Sequence, residues 1–229
     1  MLFCALLPSW PKKSQNLKTV YFISGLGADR RAFQFLDLTF CNPVFIDWLR
    51  PEEGESLSSY AFWMKGQIPD EEPEIVGLSF GGMVAIEIAK QFPVKKLILL
   101  SSAKTEKEIP FYLRYMRHFP LHKAFSPSLL RSANQLAYRL MGIHQREDKV
   151  IFSRMLKDAD DYFLTRAIDQ IIHWKNTREV PNTFHIHGTA DIMLPCRYVK
   201  ANHVVKGGKH LMLMTRGITV SDLLRQIIG

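Results

Sequence analysis

The chain has 229 residues, of which 47% are hydrophobic, 23% are charged and 11% are aromatic, and its net charge is +8 at pH 7. This length and balance fit a single α/β domain with a sizeable core and argue against extended disorder. No apolar run is long enough to cross a bilayer, and the three cysteines, Cys4, Cys41 and Cys196, show no spacing typical of a disulfide framework or a zinc site.

The apolar run at residues 1–7 is interpreted as an N-terminal tail or a short edge strand. Lys12 and Lys13 follow this run, and no basic residue precedes it. A secretory signal places its basic residues before the apolar run and a small-residue cleavage site behind it. We therefore expect a protein of the reducing cytoplasm, where unpaired cysteines are ordinary, without stable membrane insertion.

Short β-rich runs then alternate with longer helical patterns along the chain. This alternation predicts a mostly parallel sheet of about six strands that is covered by helices. A helix at 80–91 directly follows the third strand, and a last helix is predicted at 218–228. The predicted strands lie at 19–23, 43–47, 74–77, 96–100, 183–187 and 202–205.

The interval between the fourth and fifth strands breaks this rhythm. Residues 103–182 contain no convincing strand, and an insertion of this size is expected to be functional rather than a slack loop. Apolar residues recur there with helical spacing, which predicts helices at 111–119, 129–141, 149–156 and 162–174.

Most of the positive charge also lies in this insertion. Residues 103–157 hold eleven Lys or Arg residues against four acidic residues, so the remainder of the chain is nearly neutral. A solvated helical surface explains such a stretch, and a surface that attracts an anionic substrate, a carrier protein or a membrane is the alternative. We do not expect nucleic-acid binding, because no recognised module frames these charges.

A serine between glycines lies at the end of the third predicted strand. A tight strand-to-helix turn would raise the serine hydroxyl above the sheet, and glycines two residues to either side would relieve the crowding there. The positive end of the helix would favour negative charge that develops at the serine. The residues are Gly77-Leu78-Ser79-Phe80-Gly81-Gly82, in the pattern G-x-S-x-G. The pattern alone occurs by chance in about one chain in ten of this length, so its partners must carry the interpretation.

Two further motifs follow the fifth and sixth predicted strands. They are His187-Gly188-Thr189-Ala190-Asp191 and Gly207-Gly208-Lys209-His210. With the serine motif, they resemble the α/β-hydrolase superfamily, in which the chain order is serine, acid, histidine. The resemblance implies an α/β-hydrolase fold and a triad in which His210 accepts the proton of Ser79 and Asp191 orients the imidazole. No acid follows the fourth strand, where Ser101-Ser102-Ala103 stand, so position favours Asp191.

The other histidines are weaker candidates for the catalytic base. His203 begins the sixth strand, at the wrong end of the sheet. His185 and His187 alternate along the fifth strand, and we expect both to be buried and hydrogen-bonded. The remaining histidines, His118, His122, His144 and His173, are expected to be surface or lid residues.

The resemblance also implies an oxyanion hole and a helical cap. The two oxyanion donors would be the backbone N–H groups of Leu26 and Phe80. This chain has Ser24-Gly25 where the family often has His-Gly, which removes a side chain but no backbone donor. The cap would be an insertion at about 104–160 in a single domain of residues 1–229. Its aromatic and apolar side chains are predicted to line a substrate pocket or to pack onto neighbouring helices: Phe111, Tyr112, Tyr115 and Met116.

These residues together predict a serine hydrolase that cleaves a carboxylic ester or thioester through an acyl-enzyme. The substrate would be a small acyl compound, with an anionic or carrier-bound form as one option, and no metal or organic cofactor is implied. The same triad also serves carbon–carbon bond hydrolases and lyases, and a ligand receptor with slow turnover uses the same fold. An interaction protein that acts through the basic cap is a further alternative.

Overall fold

The structure is a computed structural model that describes residues 17–118 and 135–229. In these ranges six strands form one sheet in the order β2-β1-β3-β4-β5-β6, and all neighbouring strands are parallel. This sheet confirms the predicted fold class, and each predicted strand agrees with the structure to within one residue at either end. The strands are β1 (Thr19–Ile23), β2 (Asn42–Ile46), β3 (Glu74–Leu78), β4 (Lys96–Leu100), β5 (Thr183–Gly188) and β6 (His203–Val205).

Helices connect and cover these strands. In the described ranges they are α1 (Leu57–Lys65), α2 (Phe80–Gln91), α3 (Phe111–Tyr115), α4 (Gln135–Met141), α5 (Arg146–Asp158), α6 (Asp161–His173), α7 (Met212–Thr215) and α8 (Gly217–Ile228). The helix predicted at 111–119 is shorter than expected, because α3 ends at Tyr115 and gives way to a turn. Residues 1–7, residues 129–134 of another predicted helix, Phe119 and His122 lie outside the described residues.

Helix α1 is an element that our sequence analysis did not predict. The Ser56 side chain caps its N-terminus by accepting a hydrogen bond from the backbone N–H of Ser59 at 3.1 Å. Leu57, Tyr60, Ala61 and Met64 are buried at helical spacing. A serine cap followed by this stripe is the signal that could have identified the helix.

The core occupies both faces of the sheet, which explains why strands β3 and β4 are apolar along almost their whole length. Along β4, Ile98 and Leu100 pack on the face covered by α8, whereas Leu97 and Leu99 pack on the face covered by α1, α2 and α6. Strands covered on both faces have no need of polar alternation. The described residues include no helix that is long and apolar enough to span a membrane.

All six strands run in the same direction, so their carboxyl ends meet at one edge of the sheet. The serine motif follows β3, the acid motif follows β5 and the histidine motif follows β6. Ligand sites of open parallel sheets lie at this edge. The fold therefore brings the three motifs to the same side of the molecule.

Candidate active site

Ser79 lies in the tight turn between β3 and α2. Its backbone has φ 51° and ψ −117°, a left-handed conformation that side-chain-bearing residues rarely adopt. The turn is crowded: a Cβ atom on Gly81 would collide with the backbone carbonyl oxygens of Ile23 and Ser24, and one on Gly77 would lie 2.5 Å from Cα of Gly82. The glycines of the motif are therefore required by contact between backbones, as expected from the sequence.

A continuous chain of hydrogen bonds joins Ser79, His210 and Asp191. Oγ of Ser79 lies 2.8 Å from Nε2 of His210, and Nδ1 of His210 lies 2.8 Å from Oδ2 of Asp191. His210 and Asp191 are buried, with 6% and 3% of their surface exposed. The three residues predicted from the sequence thus meet in the geometry in which a histidine can take a proton from a serine.

The loops after β5 and β6 hold the acid and the histidine together. The backbone N–H of Ala190 donates to the carbonyl of Gly208 at 2.9 Å. A Cβ atom on Gly188 would collide with that same carbonyl, so the two loops touch backbone to backbone. This close approach places Asp191 beside His210, although 19 positions separate them in the chain.

The Asp191 carboxylate is also fixed by its own loop. Its Oδ1 atom accepts the backbone N–H groups of Met193 and Leu194, both at 2.9 Å. Burial on its own would raise the pKa of Asp191, but the neighbouring His210, the N–H group of Leu194 and His187 outweigh burial and lower the pKa below its usual value. Asp191 is therefore a carboxylate at neutral pH and can accept a hydrogen bond from the Nδ1–H group of His210.

Two further histidines lie behind the acid on β5, and both are fully buried. Nε2 of His187 bonds to the carbonyl of Leu194 at 2.7 Å and lies 3.5 Å from Oδ2 of Asp191. Both histidines are buried as predicted, but the ring of His185 faces the backbone of Ser102 and makes no hydrogen bond of good geometry there among the described residues. Its ring packs instead against that of His187, with 5.2 Å between the ring centroids.

The backbone N–H groups that the resemblance implies as oxyanion donors are those of Leu26 and Phe80. Within the described ranges, neither group donates a hydrogen bond to another residue. The loop that carries Leu26 lies against the nucleophile, since a Cβ atom on Gly25 would be 3.3 Å from Cβ of Ser79. The Ser24 hydroxyl donates to the carbonyl of Ala28 at 2.8 Å and closes this loop, in the place where the family often has a histidine.

An apolar cavity of about 170 Å³ borders Ser79 and His210. Besides His210, no titratable side chain of the described residues lines it. The cavity is bounded by the loop after β1, the start of α2, the insertion between β4 and β5, and the loop after β5. Its apolar walls are formed by Leu26, Ala28, Phe80, Met83, Ile109, Leu113, Met141, Phe152, Leu156, Ile171, Met193, Leu194 and Leu211.

The four predicted pocket residues of the insertion do not line this cavity. Phe111, Tyr112 and Tyr115 are 56%, 47% and 64% exposed, and Met116 is not among the lining residues. Leu113 is the residue of α3 that faces the cavity. A helix turns by about 100° per residue, so a helix as short as α3 presents only one of its side chains to a narrow cavity. The sequence pattern gave no means of choosing among five neighbouring apolar side chains.

The described residues include no group of three or more His, Cys, Asp or Glu side chains that could hold a metal ion. Cys41 and Cys196 are free thiols. His118, His144 and His173 lie on the surface, as expected, and His203 lies at the opposite end of β6 from His210. The site thus brings Ser79, His210 and Asp191 together with two backbone N–H groups that have no partner among the described residues, beside an apolar cavity.

No family model matches this chain. Its sequence is similar to the uncharacterized proteins Rv2715 of Mycobacterium tuberculosis (strain ATCC 25618 / H37Rv) and Mb2734 of Mycobacterium bovis. Each alignment has 27% identity over 192 residues, and it covers 71% of this chain and 55% of the relative. The chain therefore spans about half the length of these relatives.

Solved structures are similar over nearly the whole chain. A lipase-esterase related protein from Clostridium acetobutylicum superposes with a TM-score of 0.68 at 15% identity, covering 92% of this chain and 94% of that protein. A thermophilic esterase from Thermogutta terrifontis gives 0.64 at 16% identity, covering 93% and 91%. The α/β-hydrolase MGS-M2 from a deep-sea metagenome library gives 0.67 at 15% identity, covering 94% and 90%. The chain therefore has the fold of the α/β-hydrolase superfamily.

Proposed function

We propose that this protein is a serine hydrolase that cleaves a carboxylic ester or thioester through an acyl-enzyme. The observation that carries the proposal is the hydrogen-bond chain from Ser79 through His210 to Asp191, in which both contacts measure 2.8 Å. A serine hydroxyl is a weak nucleophile until a base accepts its proton, and His210 is placed to do so.

In the proposed reaction, Ser79 Oγ forms a bond to the substrate carbonyl carbon while its proton passes to Nε2 of His210. The carbonyl oxygen becomes an anion and accepts hydrogen bonds from the N–H groups of Leu26 and Phe80. When this intermediate collapses, the bond to the alcohol or thiol breaks, and His210 returns the proton to that leaving group. Water then attacks the acyl-enzyme by the same route and releases the carboxylic acid. Asp191 stabilises the imidazolium in both halves.

The cavity favours an uncharged acyl group of modest size. An apolar cavity of about 150 Å³ in a protein accommodates a benzene molecule, so the cavity of about 170 Å³ beside Ser79 suits an acyl group of about six carbon atoms. No Lys or Arg side chain of the described residues lines it. An anionic acyl chain would find no counter-charge there, so any role of the basic insertion would concern the outer surface or the leaving group.

The first test is labelling by a fluorophosphonate probe. We expect the wild type to be labelled at Ser79, because His210 activates that hydroxyl. Labelling is expected to be lost in Ser79→Ala and to be slowed at least a hundredfold in His210→Ala and Asp191→Asn. The matched control is His203→Ala, which removes a histidine at the far end of β6 and should label like the wild type.

A correctly folded wild type that is not labelled would contradict the proposal. Labelling without turnover of any activated ester, combined with tight stoichiometric binding of a ligand, would instead identify a receptor on the hydrolase fold. Slow cleavage of esters with fast cleavage of a β-diketone would identify a carbon–carbon bond hydrolase that uses the same three residues.

A further inference from the structure

Ser102, the second residue after β4, is hydrogen-bonded to the turn between β3 and α2 that carries Ser79. It is fully buried, and its hydroxyl donates to the backbone carbonyl oxygen of Ser79 at 2.7 Å. That oxygen also accepts the N–H groups of Gly82 at 3.0 Å and Met83 at 3.4 Å, as expected at the start of a helix. The bond from Ser102 is the shortest of the three and the only one from outside the turn and its helix among the described residues.

The carbonyl of Ser79 belongs to the same peptide group as the N–H of Phe80. A peptide group is planar and trans, so its C=O and N–H point in opposite directions. A donor that holds the Ser79 carbonyl therefore sets the direction of the Phe80 N–H, which is one of the two proposed oxyanion donors. Hydrogen bonds in a chain also polarise one another, so the bond from Ser102 makes the Phe80 N–H a stronger donor.

The turn has a particular need for such a contact. Ser79 has φ 51°, outside the wells in which ordinary helical or extended geometry would hold the peptide group that follows. The backbone N–H of Ser79 donates to the carbonyl of Leu100 at 2.8 Å. Together with the bond from Ser102, residues at the end of β4 therefore hold Ser79 on both sides of its Cα atom.

The second glycine after the serine is explained by the same contact. A Cβ atom on Gly82 would collide with Oγ of Ser102 and would lie 2.6 Å from its Cβ atom. Only glycine at position 82 lets the Ser102 hydroxyl reach the Ser79 carbonyl. Gly82 and Ser102, which lie on separate elements, are thus both needed for this one hydrogen bond.

We propose that Ser102 is a positioning residue that aims and polarises the Phe80 N–H toward the oxyanion. It touches neither substrate nor triad side chains and acts through the peptide group between Ser79 and Phe80. This role rests on the proposed serine hydrolase function. It predicts that the Ser102 hydroxyl stabilises the transition state and contributes little to the binding of substrate.

The test compares Ser102→Ala with Ser101→Ala in the hydrolysis of p-nitrophenyl butyrate. Ser101 is the matched control, because it is equally buried and its hydroxyl has no hydrogen-bond partner among the described residues. Loss of one neutral hydrogen bond corresponds to about a fivefold to tenfold change in rate. We expect kcat of Ser102→Ala to fall by that factor with KM within about twofold, and Ser101→Ala to match the wild type.

A pair of ketones separates positioning from a general loss of structure. The reagent 1,1,1-trifluoro-2-hexanone forms an oxyanion on the serine, whereas 2-hexanone binds without forming one. In Ser102→Ala we expect the inhibition constant of the fluorinated ketone to rise by the same factor as kcat falls, with that of 2-hexanone unchanged. Ser102→Cys keeps a small side chain with a weaker donor and should give intermediate values; it also carries the comparison should the alanine variant not fold.

Equal weakening of both ketones would overturn the positioning role, as would Ser102→Ala with wild-type kcat. A wild type that hydrolyses no ester would instead contradict the proposed function, and the role of Ser102 with it. The wild-type measurement therefore distinguishes the two failures.

Discussion

Three hydrogen bonds at Ser79 come from outside its own turn and helix, two from the end of β4 and one from the loop after β6. Its N–H donates to Leu100, its carbonyl accepts from Ser102 and its hydroxyl contacts His210. A residue in a left-handed conformation costs on the order of 1–3 kcal/mol, and it persists only where the surroundings hold it. The strain at Ser79 is thus maintained by β4 on one side and by the loop after β6 on the other.

The contact between Gly81 and the loop after β1 gives a prediction at this scale. The variant Gly81→Ala would push a Cβ atom into the carbonyl oxygens of Ile23 and Ser24, next to the loop that carries Leu26. We expect a loss of about 1–3 kcal/mol in the free energy of unfolding, measured by urea denaturation, and a strong loss of fluorophosphonate labelling.

The control for that variant is Gly54→Ala. Gly54 has a positive φ of 73°, but a Cβ atom there would meet nothing within 4 Å. It should lose about 1–2 kcal/mol, from backbone strain alone, and keep full labelling, so labelling rather than stability separates the two variants. Wild-type labelling of Gly81→Ala would show that the loop after β1 can move without cost to the site.

At the scale of elements, strand β5 carries two buried histidines, His185 and His187, shortly before Asp191 in the chain. Burial, together with the nearby His187 and Lys104, lowers the pKa of His185 to about 3. Burial likewise lowers the pKa of His187, even though Asp191, the Leu194 carbonyl and Glu108 act against burial. Both rings are therefore neutral in the folded protein at neutral pH.

This burial makes the stability of the fold depend on pH. An unfolded histidine takes up a proton near pH 6.5, whereas folded His185 does so only near pH 3, so the unfolded state binds more protons between these values. Stability must therefore fall as the pH falls below about 6.5, and the contribution of His185 reaches about 2 kcal/mol at pH 5. The lowered pKa of Asp191 acts in the same direction at still lower pH.

Urea denaturation at a series of pH values from 5 to 7.5 measures this dependence. His185→Leu removes the titrating ring, so its stability should fall less steeply with acidification than that of the wild type. His203→Leu, on the neighbouring strand and only partly buried, serves as the control. Parallel pH profiles for the wild type and His185→Leu would contradict the assignment.

Strand positions were the part of the fold that sequence alone predicted best. Strands buried on both faces are unbroken apolar runs bounded by turn residues, and such runs are visible without any knowledge of the fold. Helix α1 was not predicted, although the Ser56 cap and the apolar residues at helical spacing can be recognised in the sequence. The three residues of the proposed triad could be placed because Ser79, Asp191 and His210 all lie shortly after the end of a strand, and parallel strands bring their ends together. The packing of the His185 ring and the bond from Ser102 depend on contacts between elements, which no local pattern encodes.

At the scale of the whole molecule, the apolar cavity is shared between the sheet and the insertion. Its floor comes from the loops that follow the strands, whereas Leu113, Met141, Phe152 and Leu156 come from three separate helices of the insertion. Helical periodicity predicts that such helices exist but not how each one is rotated against its neighbours. That is why the predicted pocket residues were adjacent in sequence to the one that lines the cavity.

The size of the cavity predicts the preferred acyl chain. Among p-nitrophenyl esters, we expect kcat/KM to be highest at butyrate to hexanoate and to fall at least tenfold at decanoate, because a longer chain exceeds a cavity of about 170 Å³. Leu113→Ala should move the preference toward longer chains by enlarging the cavity.

Tyr115→Ala is the matched control on the same helix, since Tyr115 is 64% exposed and does not line the cavity. It should leave the chain-length profile as in the wild type. A shift in Tyr115→Ala with none in Leu113→Ala would reinstate the aromatic side chains of α3 as the acyl pocket.

The order of the strands places the proposed catalytic residues in regions of unequal local stability. The proposed nucleophile follows β3, which has a neighbour on each side, whereas His210 follows β6, a strand of three residues at the edge of the sheet. Strands at the edge of a sheet open before central strands do, because fewer contacts hold them. A brief detachment of β6 would carry His210 away and leave the serine turn intact but inert. The proposed activity would thus be lost through a small, reversible opening at the edge of the sheet, under conditions in which the protein as a whole is still folded.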